Sequence, residues 1–235
     1  MLAQIKIAFK ENPDDIAAII IEPIQGEGGD NHFRGEFLRQ LRRLADLHQA
    51  LLIFDEVQTG VGLTGRFWCC EHFDVWPDVL VFGKKAQVCG IMVTDRIDEV
   101  PDHVFRTPGR LNSTWGGNLV DMMRGARYLE IIRTENLVAN AARQGERLLA
   151  GLQELAARYP VLSNVRGRGL MTAFSLPSPV ERDSLRRLLW DKGLATLASW
   201  PRSIRFRPCL NVSADEVDEG LSRLEAGLRE HVARK

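Results

Sequence analysis

Short apolar runs alternate with helical periodicity along the first half of the chain. Residues 16–21, 50–56 and 78–83 (IAAIII, ALLIFDE and DVLVFG) predict three buried strands, and 88–93 predicts a fourth. Between the first two, residues 34–48 place apolar side chains at the spacing of one helix face. Buried strands separated by helices are typical of a mostly parallel sheet, so the pattern predicts an α/β fold.

The pattern changes in the second half of the chain. We predict two long helices, a strand, a further helix and a short strand there, at 117–133, 136–158, 167–176, 180–192 and 204–208. Ser213 and Glu216 form a capping-box sequence that predicts the start of the last helix. We expect a domain boundary near residue 150, between a larger α/β layer (1–150) and a smaller α+β domain (151–235).

Composition narrows the class of protein. The 235 residues carry no formal net charge and are 45% hydrophobic, which gives no reason to expect nucleic acid or a membrane surface as partner. No apolar run approaches the roughly 20 residues of a membrane span, and the N-terminus lacks the pattern of a signal peptide. The four cysteines have no metal-ligand spacing, so we expect reduced thiols, no metal site and a cytoplasmic protein.

Polar residues follow each of the first three predicted strands. Glu27 comes shortly after the first, Asp55 and Gln58 after the second, and Lys84 after the third. Open α/β sheets bind ligands at the carboxyl ends of their strands, so we expect carboxylates and a lysine to converge there. Glu56 alternates to the opposite side of its strand and is interpreted as structural.

Two of these residues have the chemistry of a site, and each has a simpler alternative. A buried Asp55 carboxylate needs a cation, whether a metal ion, an arginine or a protonated ring nitrogen, but it could also cap the following turn. Lys84 could be a nucleophilic amine if burial or nearby cations lower its pKa, although a solvated lysine is the commoner case. Lys85 points the other way in an extended segment and is interpreted as structural.

Two further segments could bind anions. Arg205 and Arg207 lie two residues apart in a predicted strand, so they share a face suited to a carboxylate, or they are two surface arginines. Asn112, Ser113 and Thr114 precede a predicted helix, where they could form an anion site or an ordinary N-cap.

Taken together, these motifs resemble the class III (ω-) aminotransferases, which are pyridoxal-phosphate enzymes of fold type I. The matching segments are IIIEPIQGEGG, LLIFDEVQTGVGLTG, PDVLVFGKK, NSTWGGN and RGRGLMTAFSL. They occur in the same order and at similar spacing. EPIQGEGGDNHFRGEFL and VFGKKAQVCGIM most resemble the members that act on the ε-amino group of L-lysine. The resemblance runs from near residue 15 to the C-terminus.

The resemblance implies a role for each candidate. Lys84 looks like the lysine that bonds to pyridoxal 5'-phosphate, Asp55 like the partner of the pyridinium nitrogen, and Gln58 like the side chain near the phenolic oxygen. Asn112, Ser113 and Thr114 resemble the segment that reaches the cofactor phosphate of a neighbouring subunit, which implies a homodimer with shared sites. Arg205 looks like the arginine that binds the substrate α-carboxylate, and Glu27 like the glutamate that pairs with an arginine in one half-reaction only.

The implied reaction is a ping-pong transfer of the ε-amino group of L-lysine to 2-oxoglutarate, giving 2-aminoadipate 6-semialdehyde and glutamate. Ornithine, 4-aminobutyrate or acetylornithine as donor, and a non-catalytic fragment, are the alternatives. Family members carry an N-terminal half with a phosphate-binding loop, and we expect this chain to be their C-terminal part. In that reading, 1–150 is the C-terminal portion of the cofactor-binding domain and 151–235 is the small domain.

Overall fold

A computed structural model describes residues 1–111 and 113–234 of the chain. Its helices are α1 Leu2–Glu11, α2 Gly35–Leu47, α3 Leu119–Thr134, α4 Leu137–Arg158, α5 Pro179–Asp191 and α6 Ala214–Ala233. Its strands are β1 Ala18–Ile21, β2 Ile24–Gln25, β3 Asn31–His32, β4 Leu51–Asp55, β5 Val79–Phe82, β6 Gly90–Val93, β7 Ser163–Arg168, β8 Met171–Ser175, β9 Leu197–Ser199 and β10 Ser203–Phe206. No helix among the described residues combines the length and the apolar character needed to span a bilayer.

The chain forms two compact units that do not follow a single cut in the sequence. The first unit consists of Met1–Pro23, Phe33–Gln58 and Cys69–Ile131, and the second of Ile24–His32, Thr59–Trp68 and Ile132–Lys235. Residue 150 lies inside α4. The division into domains 1–150 and 151–235 stays a prediction.

A four-stranded sheet in the order β1-β4-β5-β6 organises the first unit. Strands β1, β4 and β5 are parallel, and β6 pairs with β5 in the antiparallel direction. Leu52 and Phe54 of β4 are fully buried, and α2 buries Leu38 and Leu41. The predicted α/β fold with a mostly parallel sheet is therefore confirmed.

The second unit is built on an antiparallel sheet in the order β7-β8-β10-β9. Every residue of β8 is buried, α4 packs against β7, and α6 packs against α4 and α5. The single strand predicted over 167–176 is wrong, because the chain turns at Gly169 between β7 and β8. Gly169 has φ +54°, and a Cβ there would lie 2.3 Å from the carbonyl carbon of Thr64, so only glycine fits this turn.

The N-terminus of α6 confirms the predicted capping box. The Ser213 hydroxyl accepts a hydrogen bond from the backbone N–H of Glu216 at 3.2 Å. The Glu216 carboxylate accepts one from the backbone N–H of Ser213 at 2.8 Å. These bonds satisfy two donors of the first helical turn and fix where α6 begins.

Candidate active site

Asp55 and Lys84 stand at the carboxyl ends of neighbouring parallel strands. Asp55 is the last residue of β4, and its Cα is in register with that of Val81 in β5. The backbone N–H of Glu56 donates to the carbonyl of Val81 at 2.9 Å, which continues the pairing past the strand end. Lys84 follows three residues after Val81, so the sheet brings the carboxylate and the amine to the same edge.

The direction of the Asp55 carboxylate is fixed by its own turn. Its Oδ1 accepts a hydrogen bond from the backbone N–H of Val57 at 3.0 Å. This is the turn-capping alternative, and it occupies one carboxylate oxygen of a half-buried side chain. A carboxylate held in this way has a defined direction in which to meet a cationic partner.

Lys84 has an unusual backbone conformation. Its φ is +48°, in the left-handed region that a side chain with a Cβ seldom adopts. Gly83 before it is buried, and Lys84 begins a short 3-10 turn in which its carbonyl accepts from the backbone N–H of Gln87 at 2.9 Å. Such a conformation costs about 1–3 kcal/mol and persists where the surrounding structure imposes it, often at functional sites.

The neighbouring lysine has a structural contact. Lys85 Nζ donates to the carbonyl of Gln58 at 2.8 Å, which ties the segment after β5 to the segment after β4. This bond joins the two segments that carry Lys84 and Gln58.

The buried Glu56 side chain supports the same edge from the other side. Glu56 is fully buried and accepts hydrogen bonds from the backbone N–H groups of Cys69 at 2.6 Å and Cys70 at 2.8 Å. Burial and the nearby Glu56 charge raise the pKa of the Cys70 thiol, so this thiol stays protonated.

The second unit contains an ion pair between Glu27 and Arg205. Arg205 lies on β10 and is only 6% exposed, whereas the Glu27 side chain is 77% exposed, and Arg205 Nη2 donates to Glu27 Oε2. The Nε and Nη1 atoms of Arg205 are buried with no acceptor among the described residues. A guanidinium can donate hydrogen bonds to a carboxylate through two of its nitrogens at once.

Backbone contacts hold the turn that carries Glu27. The backbone N–H of Trp200 donates to the Glu27 carbonyl at 3.3 Å, and Ser199 Oγ donates to the Gly26 carbonyl at 3.0 Å. Gly29, with φ +135°, lies so close to the chain that a Cβ would be 2.7 Å from the carbonyl oxygen of Trp200. The backbone of the turn is thus fixed while the Glu27 carboxylate remains exposed.

Behind this pair lies an aspartate that sequence reasoning missed. Asp30 is fully buried, and its carboxylate lies 3.9 Å from Arg205 Nη1 and 3.4 Å from Arg207 Nη2. Burial raises the pKa of Asp30, and the charges of Arg207, Arg205 and Arg166 oppose the rise. In the sequence, Asp30 follows two glycines and reads as a turn residue, so no local signal distinguishes it.

Arg166 of β7 anchors the same turn, and no carboxylate among the described residues forms an ion pair with it. Its Nε donates to the Asp30 carbonyl and its Nη2 to the Gly29 carbonyl, both at 2.6 Å, and Nη2 also reaches the Ser203 hydroxyl at 2.9 Å. Burial lowers the pKa of Arg166, and the charge of Asp30 opposes this. The turn therefore carries a third guanidinium close to Asp30.

The predicted anion segment before α3 is exposed. Ser113 and Thr114 lie in a turn in which the Ser113 carbonyl accepts from the Gly116 N–H at 3.1 Å. Helix α3 begins at Leu119, and Asn118 before it accepts a hydrogen bond at its Oδ1 from the Val120 N–H at 2.9 Å, so Ser113 and Thr114 are not the N-cap of this helix. Asn112 lies outside the described residues.

The structure thus gathers the candidates into separate groups. Asp55, Gln58 and Lys84 belong to one sheet edge, and Glu27 is paired with Arg205.

Comparisons with known proteins agree with one another. The model of the family described as Aminotransferase class-III matches residues 1–228. The chain is 53% identical over 228 residues to L-lysine-epsilon aminotransferase of Mycobacterium tuberculosis H37Rv, covering 97% of this chain and 51% of the relative. It is 47% identical over 223 residues to the enzyme of the same name from Amycolatopsis lactamdurans, covering 94% and 50%.

Solved structures give the same result. The lysine aminotransferase from M. tuberculosis in the internal aldimine form superposes with a TM-score of 0.95 at 52% identity, covering 98% of this chain and 53% of the other. Among the curated relatives with another activity, human mitochondrial 4-aminobutyrate aminotransferase is 40% identical in sequence over 209 residues, covering 87% of this chain and 40% of the relative. The chain spans about half the length of the curated relatives that it matches.

Proposed function

Because this chain belongs to the class III aminotransferases, we propose that the protein carrying it transfers the ε-amino group of L-lysine to 2-oxoglutarate. The products are 2-aminoadipate 6-semialdehyde and glutamate. The observation that carries the choice of donor is the 53% identity to relatives named L-lysine-epsilon aminotransferase, against 40% to a 4-aminobutyrate aminotransferase. Transfer of the amino group of 4-aminobutyrate is the alternative function.

The family's cofactor is pyridoxal 5'-phosphate, and the residues at the β4–β5 edge have the chemistry to hold it. Asp55 offers a carboxylate of fixed direction to the protonated ring nitrogen, Lys84 an exposed amine to the aldehyde carbon, and Gln58 a polar group to the phenolic oxygen. Bound there, the cofactor supplies an electron sink for the carbon that loses a proton.

In this proposal, Lys84 moves the proton. Its Nζ takes a proton from the ε-carbon of substrate lysine in the first half-reaction and returns one to the α-carbon of glutamate in the second. The left-handed backbone of Lys84 supports this assignment, because it directs one side chain while Lys85 holds the segment in place. The reaction is ping-pong, since the deaminated donor leaves before 2-oxoglutarate enters.

Arg205 binds the substrate carboxylate, and Glu27 yields to it. What supports this role is a largely buried guanidinium whose Nη2 is paired with the exposed carboxylate of Glu27, a partner that a substrate carboxylate can replace. The exposed Glu27 side chain is free to swing towards solvent, and the substrate carboxylate then replaces it as the partner of the buried guanidinium, so that this charge is not left unpaired. Fixing the carboxylate end of lysine leaves the distal amine as the group that reacts.

We further propose a homodimer in which Asn112, Ser113 and Thr114 reach the cofactor phosphate of the neighbouring subunit. The supporting observation is a cluster of large apolar side chains next to this segment that are at least 70% exposed, namely Trp115, Leu119, Val120 and Met123. Exposed apolar clusters mark interaction sites. We also place the protein in the cytoplasm, because its four cysteines are free thiols.

The dimer makes a prediction of its own. A Val120→Glu/Met123→Glu variant should sediment as a monomer, while the parent sediments as a dimer, because two buried charges cost more than the apolar contact contributes. Equal sedimentation of both proteins would contradict the proposal.

An isotope experiment tests the reaction itself. The chain is supplied alone and joined to the unmatched half of the M. tuberculosis relative, with pyridoxal phosphate, 2-oxoglutarate and lysine labelled with ¹⁵N at the ε or the α position. Label should pass to glutamate from the ε position only, and Lys84→Ala should abolish the transfer while the exposed Lys10→Ala control retains it. Transfer from 4-aminobutyrate instead would favour the alternative donor, and no transfer in either context would favour a non-catalytic fragment.

A further inference from the structure

Around Arg205, positively charged side chains outnumber negatively charged ones, and the two carboxylates differ in their exposure to solvent. Three guanidiniums, those of Arg166, Arg205 and Arg207, act on the carboxylate of Asp30. The carboxylates paired with Arg205 are Glu27, which is exposed, and Asp30, which is buried. When Glu27 withdraws, the negative charge that remains among these five residues is that of Asp30.

We propose that Asp30 is a specificity-determining residue for the ligand of Arg205, because its negative charge disfavours a doubly charged group bound there, such as sulfate or phosphate, more strongly than a single carboxylate group. The proposal rests on the assigned role of Arg205 as a carboxylate receptor. Asp30 does not itself touch the ligand in this account. It acts through the electrostatic potential at the guanidinium.

The position of Asp30 makes this effect unavoidable. Its Oδ2 lies 3.9 Å from Arg205 Nη1, so an anion bound to the same guanidinium is within the range where charges interact strongly. Asp30 is fully buried, so salt screens it less than a surface charge. Its backbone is held by Arg166 at both Gly29 and Asp30, so the carboxylate cannot follow Glu27 out of the site.

The size of the effect depends on the charge of the ligand. Coulomb energy is proportional to charge, so the repulsion between Asp30 and a dianion is about twice that between Asp30 and a monoanion. If removing the Asp30 charge improves monoanion affinity about tenfold, it should improve dianion affinity about a hundredfold. Asp30 thus reduces the advantage that a phosphate-like dianion gains over a substrate carboxylate from the three guanidiniums.

Anion titrations at Arg205 test the proposal without turnover. The ¹H–¹⁵N signal of Arg205 Nε is assigned by its loss in Arg205→Lys, and all titrations use the Glu27→Gln background, which removes the competing carboxylate. Propionate is the monoanion and sulfate the dianion, at constant ionic strength. We expect Asp30→Asn to raise the affinity for both anions, and the factor for sulfate should be the square of the factor for propionate. The control Asp191→Asn removes the same charge at an exposed position and should change neither affinity.

A second variant reverses the sign and does not depend on the folding of Asp30→Asn. Arg207→Gln removes one positive charge from the same cluster, so both affinities should fall, sulfate again by the square of the propionate factor. The Asp30→Asn/Arg207→Gln double variant should return towards the parent selectivity, because the net charge is restored.

The outcomes separate the two claims. In one outcome, propionate shifts the Arg205 signal, but the substitutions change the affinities for sulfate and propionate by equal factors or not at all. The role of Asp30 is then wrong, and the carboxylate site at Arg205 stands. If neither anion shifts that signal in any folded variant, the assigned role of Arg205 fails, and the inference about Asp30 fails with it.

Discussion

At the scale of single residues, two adjacent lysines have different surroundings. Lys85 donates to the Gln58 carbonyl at 2.8 Å, whereas Lys84 is exposed. Lys85→Met should lower the free energy of unfolding by about 1–2 kcal/mol, because a charged hydrogen bond between two strand ends is lost. The matched Lys84→Met should change it by less than about 0.5 kcal/mol.

Chemical denaturation of both variants measures this difference. Equal destabilisation by the two substitutions would contradict the structural role of Lys85. It would also remove the reason for separating the two lysines.

Glu56 gives a second prediction at this scale. Glu56→Gln should cost about 1–3 kcal/mol, because a neutral amide presents only one acceptor to the backbone donors of Cys69 and Cys70. Chemical denaturation measures this loss as a lower midpoint, with the dependence of the unfolding free energy on denaturant concentration unchanged. Glu11→Gln, at an exposed position, is the control and should be nearly neutral. A loss at Glu56 no larger than at Glu11 would contradict the structure.

The sequence located the candidate residues at the strand ends, but it did not reveal the residues that support them. Asp55 and Lys84 could be singled out because each follows a buried apolar run, whereas the pairing of Glu27 with an arginine was implied only by the family resemblance. Asp30 could not, because its burial arises from β10 and β7, which are distant in sequence. Long-range contacts of this kind leave no local pattern.

At the scale of elements, the predicted strands and helices were mostly correct where apolar periodicity was strong. α2, α4 and the strands β4 and β5 lie within two residues of their predicted ends. α1 was not predicted, because Lys6 and Lys10 interrupt a short apolar pattern. Its one buried side chain, Phe9, stacks on the ring of His48 with centroids 4.3 Å apart.

The capping box of α6 provides a test on one element. Ser213→Ala should lower the free energy of unfolding by about 1 kcal/mol, because the N–H of Glu216 loses its acceptor. Ser222→Ala in the exposed middle of the same helix should be neutral or slightly stabilising, because alanine has the higher helix propensity. Thermal unfolding of the two variants separates them, and a reversed order would contradict the capping geometry.

Strand β3 makes the stability depend on pH through His32. Burial, together with the charges of Arg166 and Arg168, lowers the pKa of His32 from 6.5 to about 4. Between these values the unfolded chain binds a proton that the folded chain does not, so stability is full above pH 6.5 and falls as the pH drops towards 4. The loss attributable to this residue is roughly 3 kcal/mol at most.

Comparison with a substituted protein isolates this contribution. His32→Asn should flatten the fall of the unfolding free energy over that pH range, while other groups, Asp30 among them, contribute equally to both proteins. Parallel pH curves for the parent and the variant would contradict the buried, neutral state of His32.

At the scale of the whole molecule, several large apolar side chains are exposed on β1 and α3. Ile20 on the edge strand β1 is 65% exposed, and α3 carries Leu119 at 81% and Met123 at 74%. Large apolar side chains at this exposure are typical of surfaces that another chain or segment covers.

The central claim is that Lys84 is the residue to which the cofactor bonds. Borohydride reduction in the presence of pyridoxal phosphate, followed by peptide mapping by mass spectrometry, tests it most directly. We expect the phosphopyridoxyl mass on Lys84, and its disappearance in Lys84→Ala. A label that lies on Lys85 or another lysine, or that persists in Lys84→Ala, would contradict the account.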